Sequence, residues 1–168
     1  MPQALREAFM AEVKSLQKKP IMKITTSVEG AYGESSVFSL LKLFYLLNSK
    51  FGLTEHSTFL DIGSGSGVPS FTAAAFGCPY SLGFELDSTV YSISIINQLS
   101  LVDLLLLQQL CLSTHVNQEG LEANIEEALL RVFDCSRLLS LEGISHVFSF
   151  DLAMPPWIIG HIVQLFNQ

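Results

Sequence analysis

An acid, a run of alternating glycines and a second acid form the part of this chain best suited to chemistry. Asp61-Ile62-Gly63-Ser64-Gly65-Ser66-Gly67 is followed by Glu85. Glycine at alternate positions lets a backbone turn sharply and lets a ligand approach with no Cβ in the way. Glycines alone would describe any glycine-rich loop, so the flanking acids decide the reading. If Asp61 ends a strand, its carboxylate points into the crevice beyond the sheet. There it can accept bonds from a cationic amino-acid head such as that of S-adenosylmethionine, whereas a dinucleotide would place a pyrophosphate near the same charge and be repelled. If Glu85 ends the next strand, its carboxylate can hold both ribose hydroxyls.

These residues need strands that stop at Asp61-Ile62 and at Glu85, with helices between. Thr58-Phe59-Leu60-Asp61-Ile62 reads as a short buried strand cut off by the glycines, and Phe71 to Phe76 as the helix after it, stopped by Gly77. Tyr80 to Glu85 reads as a second strand, and a long apolar helix runs from Ser88 to about Leu107. Upstream, Leu5, Phe9, Val13 and Leu16 mark an amphipathic helix over residues 3–19 that Pro20 ends. A second helix with a wide apolar face starts at Val37 and ends near Asn48 and Gly52. Downstream, Leu121, Ile125, Leu129 and Leu130 recur at helical spacing, Val132-Phe133-Asp134 suggests a strand, and His146 to Asp151 suggests a better one. A terminal helix over Trp157 to Phe166 follows Pro155-Pro156. The expected fold is therefore α/β, a Rossmann-like, mostly parallel sheet with helices on both faces. Residues 1–52 form an N-terminal helical segment and residues 53–168 the core.

Composition narrows the function. The 168 residues suffice for one domain with a real core, and 49% hydrophobic content excludes a disordered chain. With only 15% charged residues, much of the surface needs other cover, from a partner or from more of the same protein. A net charge of −7, with Lys18-Lys19 the one basic pair, gives no reason to expect strong binding to a nucleic-acid backbone. The stretch Leu99 to Leu112 is broken by Asp103, Gln108 and Gln109 and is too short for a membrane span, and the first residues do not read as a secretory signal. Cys78, Cys111 and Cys135 lack C-x-x-C spacing, and the four histidines stand singly, so no metal site is expected. The Leu-rich run at 101–107 reads as core or interface, and the glutamates at 122–127 as a solvated helix face or an acidic docking surface.

The acid, glycine loop and second acid are similar to motif I and the acidic motif after it in class I S-adenosylmethionine-dependent methyltransferases. Over about residues 30–160 the chain more narrowly resembles the disruptor-of-telomeric-silencing family of histone H3 lysine methyltransferases, which lack a SET domain. The matching segments are Tyr32-Gly33-Glu34-Ser35, the loop from Phe59 to Gly67, and Gly83-Phe84-Glu85. The resemblance implies S-adenosyl-L-methionine as cofactor, histone H3 or nucleosomes as partner, and the nucleus as location. It also implies a sheet of seven strands, of which the last would be missing here. In that family the fourth strand ends in an Asn-Asn-Phe-x-Phe-x-Pro segment beside the methyl donor. Val147 to Trp157 aligns with it without a gap but has Phe150-Asp151 where the family has its asparagines.

From that alignment Asp151 is the candidate catalytic group, an acceptor for the substrate ammonium; alternatively it caps the terminal helix or closes a turn. Met154, Pro156 and Trp157 could form an apolar sleeve for a lysine stem. Asp134 and Cys135 resemble the family's acid and apolar neighbour that recognise and cover adenine, with a solvated turn acid as the plain alternative. Tyr32 packs across the cofactor or lies in the core, and Ser35 bonds the cofactor carboxylate or caps the following helix. Two other functions remain open. Met154-Pro155-Pro156-Trp157 is like the box of amino-group nucleic-acid methyltransferases, but with the apolar Met154 where a polar residue must hold the target amine. Phe150 in place of asparagine suits a cofactor-binding domain that has lost its chemistry and works as an interaction module.

Overall fold

The structure, a computed structural model, describes residues 35–111, 128–150 and 154–168, together with Ala11 and Lys14, and the side chains of the longest helix as far as Asp103. Ala11 and Lys14 are helical; the rest of the expected helix over 3–19, the glutamates at 122–127, and Leu121 and Ile125 lie outside the described residues. In chain order the elements are α1 (Val37–Lys50), β1 (Thr58–Ile62), α2 (Val68–Ala75), β2 (Tyr80–Glu85), α3 (Ser88–Cys111), β3 (Leu129–Val132), a 3₁₀ turn (Cys135–Arg137), β4 (His146–Ser149) and α4 (Pro156–Phe166).

The strands form one sheet in the order β3-β2-β1-β4, and every pairing is parallel. The chain thus moves outward from β1 through β2 to β3, then returns to the other side of β1. A crevice opens where the direction reverses, at the carboxyl ends of β1 and β4, and ligands of open α/β sheets bind at such switch points. Central β1 is buried along nearly its whole length, as expected for a strand covered on both faces.

Alternation along β1 divides the core in two. Phe59 faces a cluster built from Leu40 and Phe44 of α1, Phe71 and the small residues Ala73, Ala74 and Ala75 of α2, and Leu101 of α3. Phe44 anchors it, with ring centroids 5.2 Å from Phe59 and 5.6 Å from Phe76. Helix α1, assigned by sequence to the N-terminal segment, therefore shares the core of the sheet. Leu60 and Ile62 point to the opposite face, where Ile158 and Ile162 of α4 meet Leu138, Leu141 and Ile144. The connection from β3 to β4 supplies those last three residues and crosses this face without a long helix.

Local signals account for the helix ends. Ser36 caps α1 by accepting from Ser39 N–H at 3.2 Å, and Gly52, at φ 71°, turns the chain away afterwards. Asp87 caps α3, its Oδ1 accepting from the N–H groups of Thr89 at 2.7 Å and Val90 at 3.3 Å. Pro156 occupies the first turn of α4, where a missing N–H costs nothing. One expectation is corrected. Leu129 and Leu130 belong to β3 and not to a helix, and the strand begins three residues before Val132. Leu130 packs against α2 and α3, so tertiary burial outweighs the helical spacing. No helix among the described residues is long and apolar enough to cross a membrane.

Candidate functional site

The glycine loop leaves β1 and enters α2 through three left-handed residues, Gly63 (φ 76°), Gly65 (φ 55°) and Gly67 (φ 86°). Side chains rarely adopt these angles, so the loop's shape depends on glycine at each position. It is fastened from several sides. The N–H groups of Gly63 and Ser64 both donate to the Phe84 carbonyl, at 2.8 and 3.0 Å, and Gly67 N–H donates to Ser64 O at 2.8 Å. Asn97 of α3 donates from Nδ2 to Ser66 O at 3.1 Å. The loop lies so close to β2 that a Cβ on Gly83 would meet Ser64 Cβ at 3.0 Å and Leu130 Cδ2 at 2.5 Å.

Both acids stand where the sequence places them, at the carboxyl ends of adjacent strands. Asp61 is buried beneath the loop, and Ser70 Oγ of α2 donates to its Oδ2 at 3.4 Å. Glu85 accepts two backbone bonds, from Gly65 N–H at 2.9 Å on Oε2 and from Asp87 N–H at 2.9 Å on Oε1. Beyond β3, Phe133 N–H donates to Glu85 O at 2.8 Å, which brings Asp134 and Cys135 to the same end of the sheet.

Asp134 caps the 3₁₀ turn, accepting from Ser136 N–H at 2.9 Å. The Ser136 hydroxyl and N–H, with Arg137 nearby, hold its carboxyl below the usual carboxylate range. Burial raises the Cys135 thiol, and the charges of Asp134 and Glu85 raise it further. It is therefore a packing group and a poor nucleophile at neutral pH.

A cleft opens at the switch point. It is lined by the loop residues Gly63, Ser64 and Gly65, by Val68 and Pro69 at the start of α2, by Phe148 and Phe150, and by Ser35. Its enclosed volume is about 20 Å³, room for a water molecule, so anything larger must lie along its open mouth. Met154 closes over Gly63, where a Cβ would come within 2.8 Å of its terminal methyl, and Ser149 Oγ lies 3.4 Å from its sulfur. Of the other sleeve residues, Pro156 is exposed and Trp157 is 64% exposed. Tyr32 and Asp151 lie outside the described residues.

The structure thus brings together Ser35, Asp61, the loop glycines, Ser64, Glu85, Asp134, Cys135 and Met154 around the carboxyl ends of four parallel strands. It adds Ser70, Asp87 and Asn97, which the sequence reading passed over. Asp87 carried a signal, an acid directly before a helical pattern. Asn97 carried a weaker one, a polar residue in register with Val90 and Leu101 on a buried helical face. No metal-binding group of His, Cys, Asp and Glu exists among the described residues.

The site belongs to a Rossmann-like α/β protein with an acid and glycine loop at its switch point. No protein-family model matches the chain, and no curated protein matches it in sequence.

Proposed function

We propose that this protein binds S-adenosylmethionine across the carboxyl ends of β1 and β2 and transfers its methyl group to a protein lysine, on histone H3 in nucleosomes within the nucleus. The observation that carries the cofactor assignment is the triple left-handed glycine loop lying between two carboxylates, Asp61 and Glu85, on adjacent strand ends. Among the described residues no lysine or arginine lines the cleft, so a cationic ligand meets no like charge there. Asp61, with Ser70, would receive the amino-acid head. Glu85 would receive the ribose, and Asp134 and Cys135 would flank the adenine. The assignment of the acceptor as a lysine rests on the resemblance over residues 30–160.

When bound, the cofactor supplies an electrophilic methyl group. The protein's part is then positioning and the exclusion of water. Met154 and Phe150 give the mouth of the cleft an apolar rim for a lysine stem, and Asp151 is assigned to orient the acceptor nitrogen. Phe150 also favours a second reading. It lines the cleft where the resembled family has an asparagine, which fits a domain that binds the cofactor and acts as an interaction module.

Calorimetric titration with S-adenosylmethionine tests the cofactor assignment, and absence of heat and of competition by S-adenosylhomocysteine would overturn it. A filter assay with radiolabelled donor, run in parallel on nucleosomes, free histones, DNA and RNA, tests the acceptor. Label on histone is expected. Label on nucleic acid alone would make the protein a nucleic-acid methyltransferase, and tight cofactor binding with no label would select the interaction module.

A further inference from the structure

Three successive amides, those of Gly63, Ser64 and Gly65, face the end of β2. The first two share the Phe84 carbonyl, and the next carbonyl along, that of Glu85, is taken by Phe133 N–H. The third bonds neither carbonyl, and an unpaired backbone N–H is costly. It turns to the Glu85 carboxylate at 2.9 Å, whose other oxygen accepts from Asp87 N–H, also at 2.9 Å. Asp87 is the cap of α3. One side chain therefore ties the loop after β1 to the start of the helix after β2.

We infer that Glu85 is a clasp that sets the shape of the glycine loop, a positioning residue as well as a ligand for the ribose. The ribose role rests on the cofactor reading above; the clasp does not. A carboxylate offers about four acceptor sites, two on each oxygen. The two amides occupy one on each, which leaves the pair that a vicinal diol requires. Removing Glu85 then does more than delete a ribose contact. It releases Gly65, in the middle of the loop, and so disturbs the amino-acid end of the site as well. Glutamine is no substitute, because it has one acceptor oxygen and turns an NH₂ group toward the other amide.

Amide hydrogen exchange by NMR on the ligand-free protein tests the clasp. Gly65 and Asp87 amides are expected to be protected in the wild type. In Glu85→Ala both exchange roughly ten- to a hundredfold faster, and in Glu85→Gln one of them does, the range expected for lost bonds to a charged group. Leu60 and Leu82 amides, in β1 and β2, stay slow and report that the sheet is intact. An unprotected Gly65 amide in the wild type, or unchanged exchange in Glu85→Ala, overturns the inference. If the alanine variant fails to fold, wild-type protection and the glutamine variant decide. Calorimetry with adenosine and with S-adenosylmethionine supplies a second readout. A ribose ligand alone would make Glu85→Ala weaken both by the same factor, which overturns the clasp, whereas the clasp predicts a larger loss for S-adenosylmethionine. Faster exchange in the variants of a protein that binds neither compound would overturn the cofactor reading and leave the clasp standing.

Discussion

Gly83→Ala adds one methyl group at the point where the sheet and the glycine loop touch. The new Cβ would stand 2.5 Å from Leu130 Cδ2, 3.0 Å from Ser64 Cβ and 3.1 Å from Ser64 Oγ. Carbon contacts are favourable at about 3.5–4.0 Å, so Leu130 must retreat by roughly 1 Å. It has little room to do so, being only 1% exposed in the main cluster. Such overpacking costs about 1–3 kcal/mol, and the stiffer unfolded chain of alanine returns about 0.4–1 kcal/mol. The expected net is a destabilisation of about 1–2 kcal/mol, a fall in Tm of roughly 2–8 °C for a chain of this size. Gly160→Ala is the internal control. Gly160 is an exposed position of α4 with nothing within 4 Å of an added Cβ, so alanine should stabilise by about 0.8–1.0 kcal/mol through helix propensity alone. Urea and thermal unfolding of the two variants beside the wild type measure both signs. A Gly83→Ala protein as stable as Gly160→Ala would refute the close contact between β2 and the loop, and with it the reason for glycine there.

Three other changes test separate parts of the structure. Asn97→Ala removes the buried bond from Asn97 Nδ2 to the Ser66 carbonyl; a loss of about 0.5–1.5 kcal/mol in urea unfolding is expected, and a neutral effect would detach α3 from the loop. Phe44→Ala, at the centre of the aromatic cluster, should cost about 3–5 kcal/mol, against less than about 0.5 kcal/mol for exposed Phe38→Ala, and equal effects would misplace the core. The raised Cys135 thiol has a smaller thiolate fraction than free cysteine at any pH below its own pKa, so in a Cys111→Ser background its alkylation at pH 8 should be slower than that of glutathione and should accelerate as pH rises further. Labelling as fast as glutathione would contradict the burial and the neighbouring carboxylates.

The segments from Thr58 to Glu85 were legible because their signals are local. An apolar run stopped by glycines gives β1 and its loop, and a strand that ends in an acid gives β2. Leu129 and Leu130 were misread because a four-residue strand with only Leu130 buried is too short to show an alternation of its own. Their spacing from Leu121 and Ile125 then fitted a helix equally well. At the site, residue types and strand ends gave Asp61, the glycines and Glu85, but not what Glu85 bonds to. Its contact with Gly65 follows from the register of β1 against β2, which brings the loop to the end of β2 and is not a property of any one stretch of sequence. Gly83 is similar. Its need for a bare Cα comes from Leu130 and Ser64, which reach it from different elements.

The strand order also bears on how the chain reaches this state. β1 meets β2 across a single short helix, but its other edge waits for β4, and the bond from Thr58 N–H to Ser145 Oγ that starts that seam joins residues 87 apart. Closing so long a loop is entropically costly, and such distant pairings slow folding. During synthesis the hydrogen-bonding edge of β1 that β4 will occupy emerges long before its partner does. Until His146 to Ser149 arrive, that edge is open to any other extended segment. The switch point that creates the crevice is therefore also the last seam to close, and refolding of this protein should be slow and sensitive to its own concentration.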